Sequence, residues 1–184
     1  EGCVVDAAIY DGSAHMMNLL MSIRQTGGFG ETRGQNLLDG PHWSRSYACA
    51  DGGYMTVQCL EPKFYAQFLA LMELSEDTEF KRQFDKSLWP MLTGRLAGIF
   101  ASEPRVHWAN LFEGSDACVA PVLSPDEAIG HPMNTRGTWI EPEGVLQASP
   151  APRFDNAPAW QPLPSPERGQ HSSEILAELG LNKE

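Results

Sequence analysis

The sequence predicts an α+β fold, and three observations carry that reading. Residues 47–59 alternate apolar and polar side chains about an Asp51-Gly52 pair, proline-initiated amphipathic segments follow, and a short apolar run over 118–123 supplies a further strand.

Taken in chain order, residues 4–24 place Val5, Ile9, Met16, Leu19, Leu20 and Ile23 mostly at three- and four-residue steps or their sums. That spacing predicts a helix with one apolar face, closed by Gly27-Gly28. Met16, Met17 and Met21 make a soft stripe on it, suited to an acyl chain, although plain core is the expected role. The stretch from Gly27 to Trp43 is glycine-rich with little periodicity and reads as a linker, which places a domain boundary near residue 45. In the hairpin, Asp51-Gly52 offers the positive φ of a tight turn, while Met55, Val57 and Cys59 alternate with Tyr54, Thr56 and Gln58. Pro62, Pro90 and Pro104 each precede a helical apolar pattern, since proline lacks the N–H that a first helical position leaves unbonded. These helices form a layer over the hairpin. Ser124-Pro125-Asp126-Glu127 is a capping box that starts a short helix, which Gly130 stops. Thr138-Trp139-Ile140 reads as a strand, the proline-rich residues 149–170 as an extended arm, and Ser172 as the cap of a last helix ending at Gly180.

The chain has 184 residues and a formal charge of −11, which argues against a nucleic-acid binder. Its apolar runs fall far short of the ~20 residues a membrane-spanning helix needs. Glu1-Gly2-Cys3-Val4-Val5-Asp6 has no initiator Met, basic region or apolar segment, so no signal peptide is expected and the chain reads as starting mid-protein. Cys3, Cys49, Cys59 and Cys118 match neither a zinc pattern nor a dense disulfide framework. Free thiols in a reducing cytoplasm are expected.

The histidines are the first candidates for proton transfer, being the side chains that titrate near neutrality unaided. His15, His42, His107, His131 and His171 stand in no metal or triad spacing, and an ordinary structural role is expected of each. The serines lack a nucleophile elbow, and Gly27-Gly28-Phe29-Gly30 follows a helix without a Walker lysine, so a hinge is favoured over phosphate binding. Glu61 differs. It stands between the last alternating strand residue and a proline-started helix, where its carboxylate either caps that helix or orients a histidine brought from elsewhere. The residues alone favour the cap.

Several motifs then occur in one order. Arg33-Gly34-Gln35-Asn36-Leu37-Leu38-Asp39-Gly40, Cys49-Ala50-Asp51-Gly52, Leu60-Glu61-Pro62-Lys63-Phe64-Tyr65 and Asp116-Ala117-Cys118-Val119-Ala120-Pro121-Val122-Leu123 resemble successive motifs of α-methylacyl-CoA racemases, within the family III CoA-transferase (CaiB/BaiF) superfamily. His131-Pro132, Arg136-Gly137, Pro150-Ala151-Pro152-Arg153-Phe154 and Gly169-Gln170-His171-Ser172 are similar to the family's later pattern. Gly40-Pro41-His42-Trp43 departs from it, being one residue shorter than the family's usual segment, with Trp43 in place of phenylalanine or tyrosine.

The resemblance implies that residues 1–26 are a helix of a Rossmann-like large domain whose remainder is missing. It makes 27–45 a linker, 46–145 the small α+β domain of a family III CoA-transferase fold, and 146–184 an arm and helix returning to the large domain. It implies racemisation of 2-methyl-branched acyl-CoA thioesters in lipid metabolism by an isomerase of which this chain alone is an inactive fragment. Glu61 would be the one catalytic-group residue present, hydrogen-bonding a histidine that lies upstream together with its partner aspartate. No residue is nominated for CoA binding. CoA enters as part of the substrate, no metal or separate cofactor is expected, and the intact protein would be an interlocked cytoplasmic homodimer without nucleic-acid or membrane partners. CoA transfer between carboxylic acids and a stand-alone interaction module are the alternatives.

Overall fold

A computed structural model describes residues 2–155 and 163–181 of the chain. It divides into two compact units between Val122 and Leu123.

The first unit begins with α1 (Ile9–Met16) and α2 (Asn18–Gln25), where the sequence pattern predicts one helix over 4–24. The break falls at Met17, whose N–H bonds three residues back to Ala14 in a tightened turn. Gly27 closes α2 in the left-handed conformation (φ 77°), with Gly27 N–H on the Arg24 carbonyl and Gly28 N–H on that of Ile23. This is a Schellman closure. Neither helix buries a residue, and Met16 is 83% exposed, so the methionine stripe is uncovered among the described residues rather than packed as the core expected of it. An apolar face finds no cover within this unit.

The region read as a linker is tied down at its far end. Asn36, His42 and Trp43 are buried, and Trp43 lies in the main core. β1 (Ser44–Ala48) and β2 (Tyr54–Gln58) pair antiparallel as the expected hairpin, with Tyr47 opposite Met55 and Gly52 at φ 80° in the turn. β2 also pairs antiparallel with β3 (Val119–Val122), so β2 is central. Its alternation sends Met55 and Val57 fully into the core.

The helical layer comprises α3 (Pro62–Leu71), α4 (Trp89–Phe100) and α5 (Arg105–Phe112). Pro62 follows the N-cap Glu61, Pro90 follows Trp89, and Pro104 is itself the N-cap residue of α5 rather than its first helical residue. Phe68, Leu92, Leu96 and Phe100 are fully buried; Phe100 stacks on Tyr47 at 5.1 Å between ring centroids and Phe68 on Phe112 at 6.0 Å. Aromatic packing therefore joins the helices to the sheet and to one another.

The second unit opens with α6 (Pro125–Gly130), where the Ser124 and Glu127 side chains exchange reciprocal bonds with each other's backbone N–H groups. β4 (Trp139–Ile140) pairs with β5 (Gln147–Ala148), a two-residue strand with no sequence signal. The Arg153 guanidinium clasps the carbonyls of Arg136 and Gly137. Residues 156–162 of the expected arm lie outside the described residues, and 163–167 form neither helix nor strand. α7 (Ser172–Glu178) has His171, not Ser172, at the cap position, and no side chain caps it. Ser172 is already helical, its N–H bonded to the Gly169 carbonyl.

No helix among the described residues is long and apolar enough to cross a membrane. All four cysteines are free thiols, as expected.

Candidate functional site

The end of β2, the start of α3 and the start of β3 meet around Glu61. Three residues, Cys59, Leu60 and Glu61, carry the chain from strand to helix. Cys59 N–H donates to the Trp43 carbonyl (3.2 Å), and the Glu61 carbonyl accepts from Phe64 and Tyr65 N–H at 3.0 Å each. Glu61 is thus the N-cap residue, extended at φ −73° and ψ 138°.

Its side chain does not cap. No first-turn N–H donates to the Glu61 carboxylate, which is exposed and takes neither a hydrogen bond nor an ion pair among the described residues. This corrects the capping role that the residues alone favour. The Phe64 N–H, a donor that a capping side chain would take, goes instead to the Glu61 carbonyl.

The neighbours of Glu61 are acidic and sulfurous. Cys118 is exposed with φ 54°, and its carbonyl accepts Gln58 N–H across the sheet at 2.9 Å. Its thiol is pushed up by partial burial first, then by the charges of Glu61 and Asp116, with Lys63 opposing. Cys59 beneath is fully buried, and burial raises its thiol to about 12, with Cys118 and Glu61 adding to it. Both thiols are therefore held protonated and are poor nucleophiles. The Lys63 ammonium rests 4.4 Å from the centroid of the Phe64 ring.

No histidine of the described residues bonds Glu61. His15 and His171 are exposed and bonded within their own helical turns, to Asn18 and Glu174. His107 lies edge-on to Trp108, and His131 is half-buried in the second unit. His42 is fully buried against Tyr65 and Phe80. Among the described residues no group of three or more His, Cys, Asp or Glu side chains could hold a metal ion. A hollow of about 430 Å³ lies at the glycine-rich stretch, lined in part by Gly27, Gly30, Gln35, Lys86 and Trp89.

One residue that sequence reasoning missed stands behind Glu61. Gln83, buried before α4, donates from Nε2 to the carbonyls of Cys59 and Leu60, at 3.0 Å each. A lone glutamine in a polar stretch gives no sequence signal of that reach.

The model of CoA-transferase family III matches residues 1–172. The chain belongs to this family. Among curated family relatives it is 36% identical to α-methylacyl-CoA racemase of Mus musculus and 35% to that of Homo sapiens, in each case over all of this chain and 49% of the relative. The chain therefore spans about half the length of the curated relatives it matches. In structure it resembles a CaiB/BaiF family protein from Brucella suis with a TM-score of 0.65 and 20% identity, covering 95% of this chain and 47% of that one. The mixed helix-and-sheet fold thus resembles that of CaiB/BaiF family proteins.

Proposed function

We propose that this chain is the Glu61-bearing part of an α-methylacyl-CoA racemase, which moves a proton from one face to the other of the α-carbon in 2-methyl-branched acyl-CoA thioesters. The observation that carries the reading is the Glu61 carboxylate: borne on a strand-to-helix turn whose backbone is held by hydrogen bonds, exposed, and without a partner among the described residues. The relatives' identity as racemases supports the reaction class.

The thioester acidifies the α-proton. One group removes it, an enolate forms, and a second group on the opposite face returns a proton, so two acid/base groups are required. In this proposal they are a histidine and an aspartate outside the chain, and Glu61 accepts a hydrogen bond from that imidazole, fixing its tautomer and steadying its cation. Residues 1–26 belong to a Rossmann-like large domain, 27–45 link it to a small domain over 46–145, and 146–184 return to it. The open apolar face of α1 and α2 supports that assignment, because a large domain would cover it. The whole protein is a cytoplasmic interlocked homodimer, and CoA enters with the substrate.

The test is deuterium incorporation at the α-carbon of a 2-methylacyl-CoA in D₂O, read by mass spectrometry, for the 184-residue chain and for a form extended upstream through a large domain. Exchange by the extended form alone is expected. Exchange by neither, with CoA transfer to a carboxylic acid detected instead, would replace racemisation by CoA transfer. Exchange by the short chain would give one of its own histidines the role assigned to an upstream one.

A further inference from the structure

We propose that Gln83 is a positioning residue for Glu61, acting through the backbone of the turn that carries it; the inference rests on the role given to Glu61 above. Once the chain leaves β2, the carbonyls of Cys59 and Leu60 lie between the β ladder and the first turn of α3. Each receives one hydrogen of the Gln83 carboxamide at 3.0 Å. The two partners are both acceptors, so the amide must present its NH₂ and not its oxygen there. The turn is held from both sides: Trp43 takes Cys59 N–H, and Phe64 and Tyr65 hold the Glu61 carbonyl.

Gln83 is itself immobilised. It is 6% exposed, and its backbone carbonyl accepts two indole N–H groups, from Trp43 at 3.1 Å and Trp89 at 2.9 Å. One tryptophan precedes β1 and the other begins α4, so the glutamine is referenced to two elements of the core before it reaches the turn. A side chain with three rotatable bonds is poorly suited to positioning unless its rotamer is locked by packing and bonding, as it is here. Glu61 makes no bond with its own carboxylate among the described residues, so what the structure fixes is the place of its backbone on the turn, from which the carboxylate reaches a partner. Two carboxamide bonds fix the backbone from which that side chain starts.

The experiment compares Gln83→Met, which keeps length but cannot donate, and Gln83→Glu, whose carboxylate opposes two carbonyl oxygens, with Glu61→Gln. In the 184-residue chain, amide hydrogen exchange at Phe64 and Tyr65 should accelerate at least about ten-fold in both Gln83 variants relative to Met55 and Val57. In the upstream-extended form, α-deuterium exchange should lose roughly 30- to 100-fold in kcat with KM for the acyl-CoA within about two-fold, the pattern of a misplaced group rather than lost binding. If Glu61→Gln abolishes exchange while both Gln83 variants keep the native kcat with a protected sheet, the positioning role is overturned and the Glu61 reading stands. If Glu61→Gln itself leaves kcat unchanged, the Glu61 reading fails and takes this inference with it. Should Gln83→Met also unprotect Met55 and Val57, Gln83→Asn, uncharged and one methylene too short to reach both carbonyls, takes its place in the same comparison.

Discussion

The Nε2 atom of His42 lies 2.7 Å from the hydroxyl of Tyr65, and that hydroxyl donates its proton to the Phe80 carbonyl at 2.8 Å. Because the phenol has one hydrogen and spends it on Phe80, His42 must donate from Nε2. Its Nδ1 is then a bare lone pair, buried without a hydrogen-bond partner. An imidazolium here would carry a second N–H with no acceptor, and burial lowers the His42 pKa to about 4.

That depressed value makes His42 a source of acid sensitivity. Below the ordinary imidazole value of 6.5 the unfolded chain takes up a proton that the folded chain refuses. Stability is therefore lost as pH falls from about 6.5 towards about 4. Between pH 7 and 5 the loss from this group should be about 2 kcal/mol. Urea unfolding of the native chain and of His42→Phe across that interval checks it, since the phenylalanine chain should lose this slope. Equal slopes would show that His42 titrates normally.

Asp51 links the hairpin turn to a helix distant in sequence. Its Oδ1 accepts Gly53 N–H at 3.0 Å and its Oδ2 accepts Arg105 N–H, the first of α5, at 3.1 Å. Pro104 has no side chain able to cap, so a carboxylate from another element does so. Asp51→Ala should cost about 1–2 kcal/mol and Asp51→Asn less, read from urea midpoints with unchanged m-value. An alanine chain as stable as the native one would leave this cap without energetic weight.

The same pair of features shows what the sequence could and could not convey. Asp51-Gly52, the Pro62 start and the Ser124–Glu127 box are local devices, each decided within four residues, and all three stand where the pattern puts them. The Asp51 cap on Arg105 and the Gln83 bonds to Cys59 and Leu60 are decided by folding. No periodicity records them. For the same reason, the glycine-rich composition around His42 and Trp43 reads as a linker although both side chains are buried. In the candidate site, Glu61 and its rigid turn were legible. That its carboxylate leaves its own helix uncapped was not, because the competition between carboxylate and carbonyl for the first turn is settled by side-chain rotation.

Glu73 ends α3 in the left-handed region at φ 57°, with Glu73 N–H on Ala70 and Leu74 N–H on Leu69. This is the closure that glycine serves at Gly27, built here with a side chain that the conformation disfavours. Glu73→Gly should stabilise the chain by about 0.5–1 kcal/mol, seen as a raised thermal midpoint. A lowered midpoint would mean that the Glu73 side chain contributes contacts outweighing its backbone strain.

Replacing Glu61 tests the carboxylate from the side of stability. A glutamate that caps its helix would lose about 1 kcal/mol on conversion to alanine, whereas one that bonds nothing loses little. Glu61→Ala should therefore unfold in urea within about 0.5 kcal/mol of the native chain. A loss of a kilocalorie or more would restore the capping role and remove the observation on which the proposed function rests.

The two leading helices test whether the chain completes its own fold. α1 and α2 have eight residues each, bury none, and expose Ile9, Met16, Leu19 and Met21. Isolated helices this short are marginal in water, because nucleation is costly and most helical stability in proteins comes from packing an apolar face. Amides over 9–25 should accordingly exchange near the unprotected rate in dilute 184-residue chain, while Met55 and Val57 in β2 exchange only with global opening. Protection over 9–25 that rises with protein concentration would mean that a second copy covers the stripe. Protection independent of concentration would mean that the chain covers it from within, and would remove the support that this open face gives to a large domain.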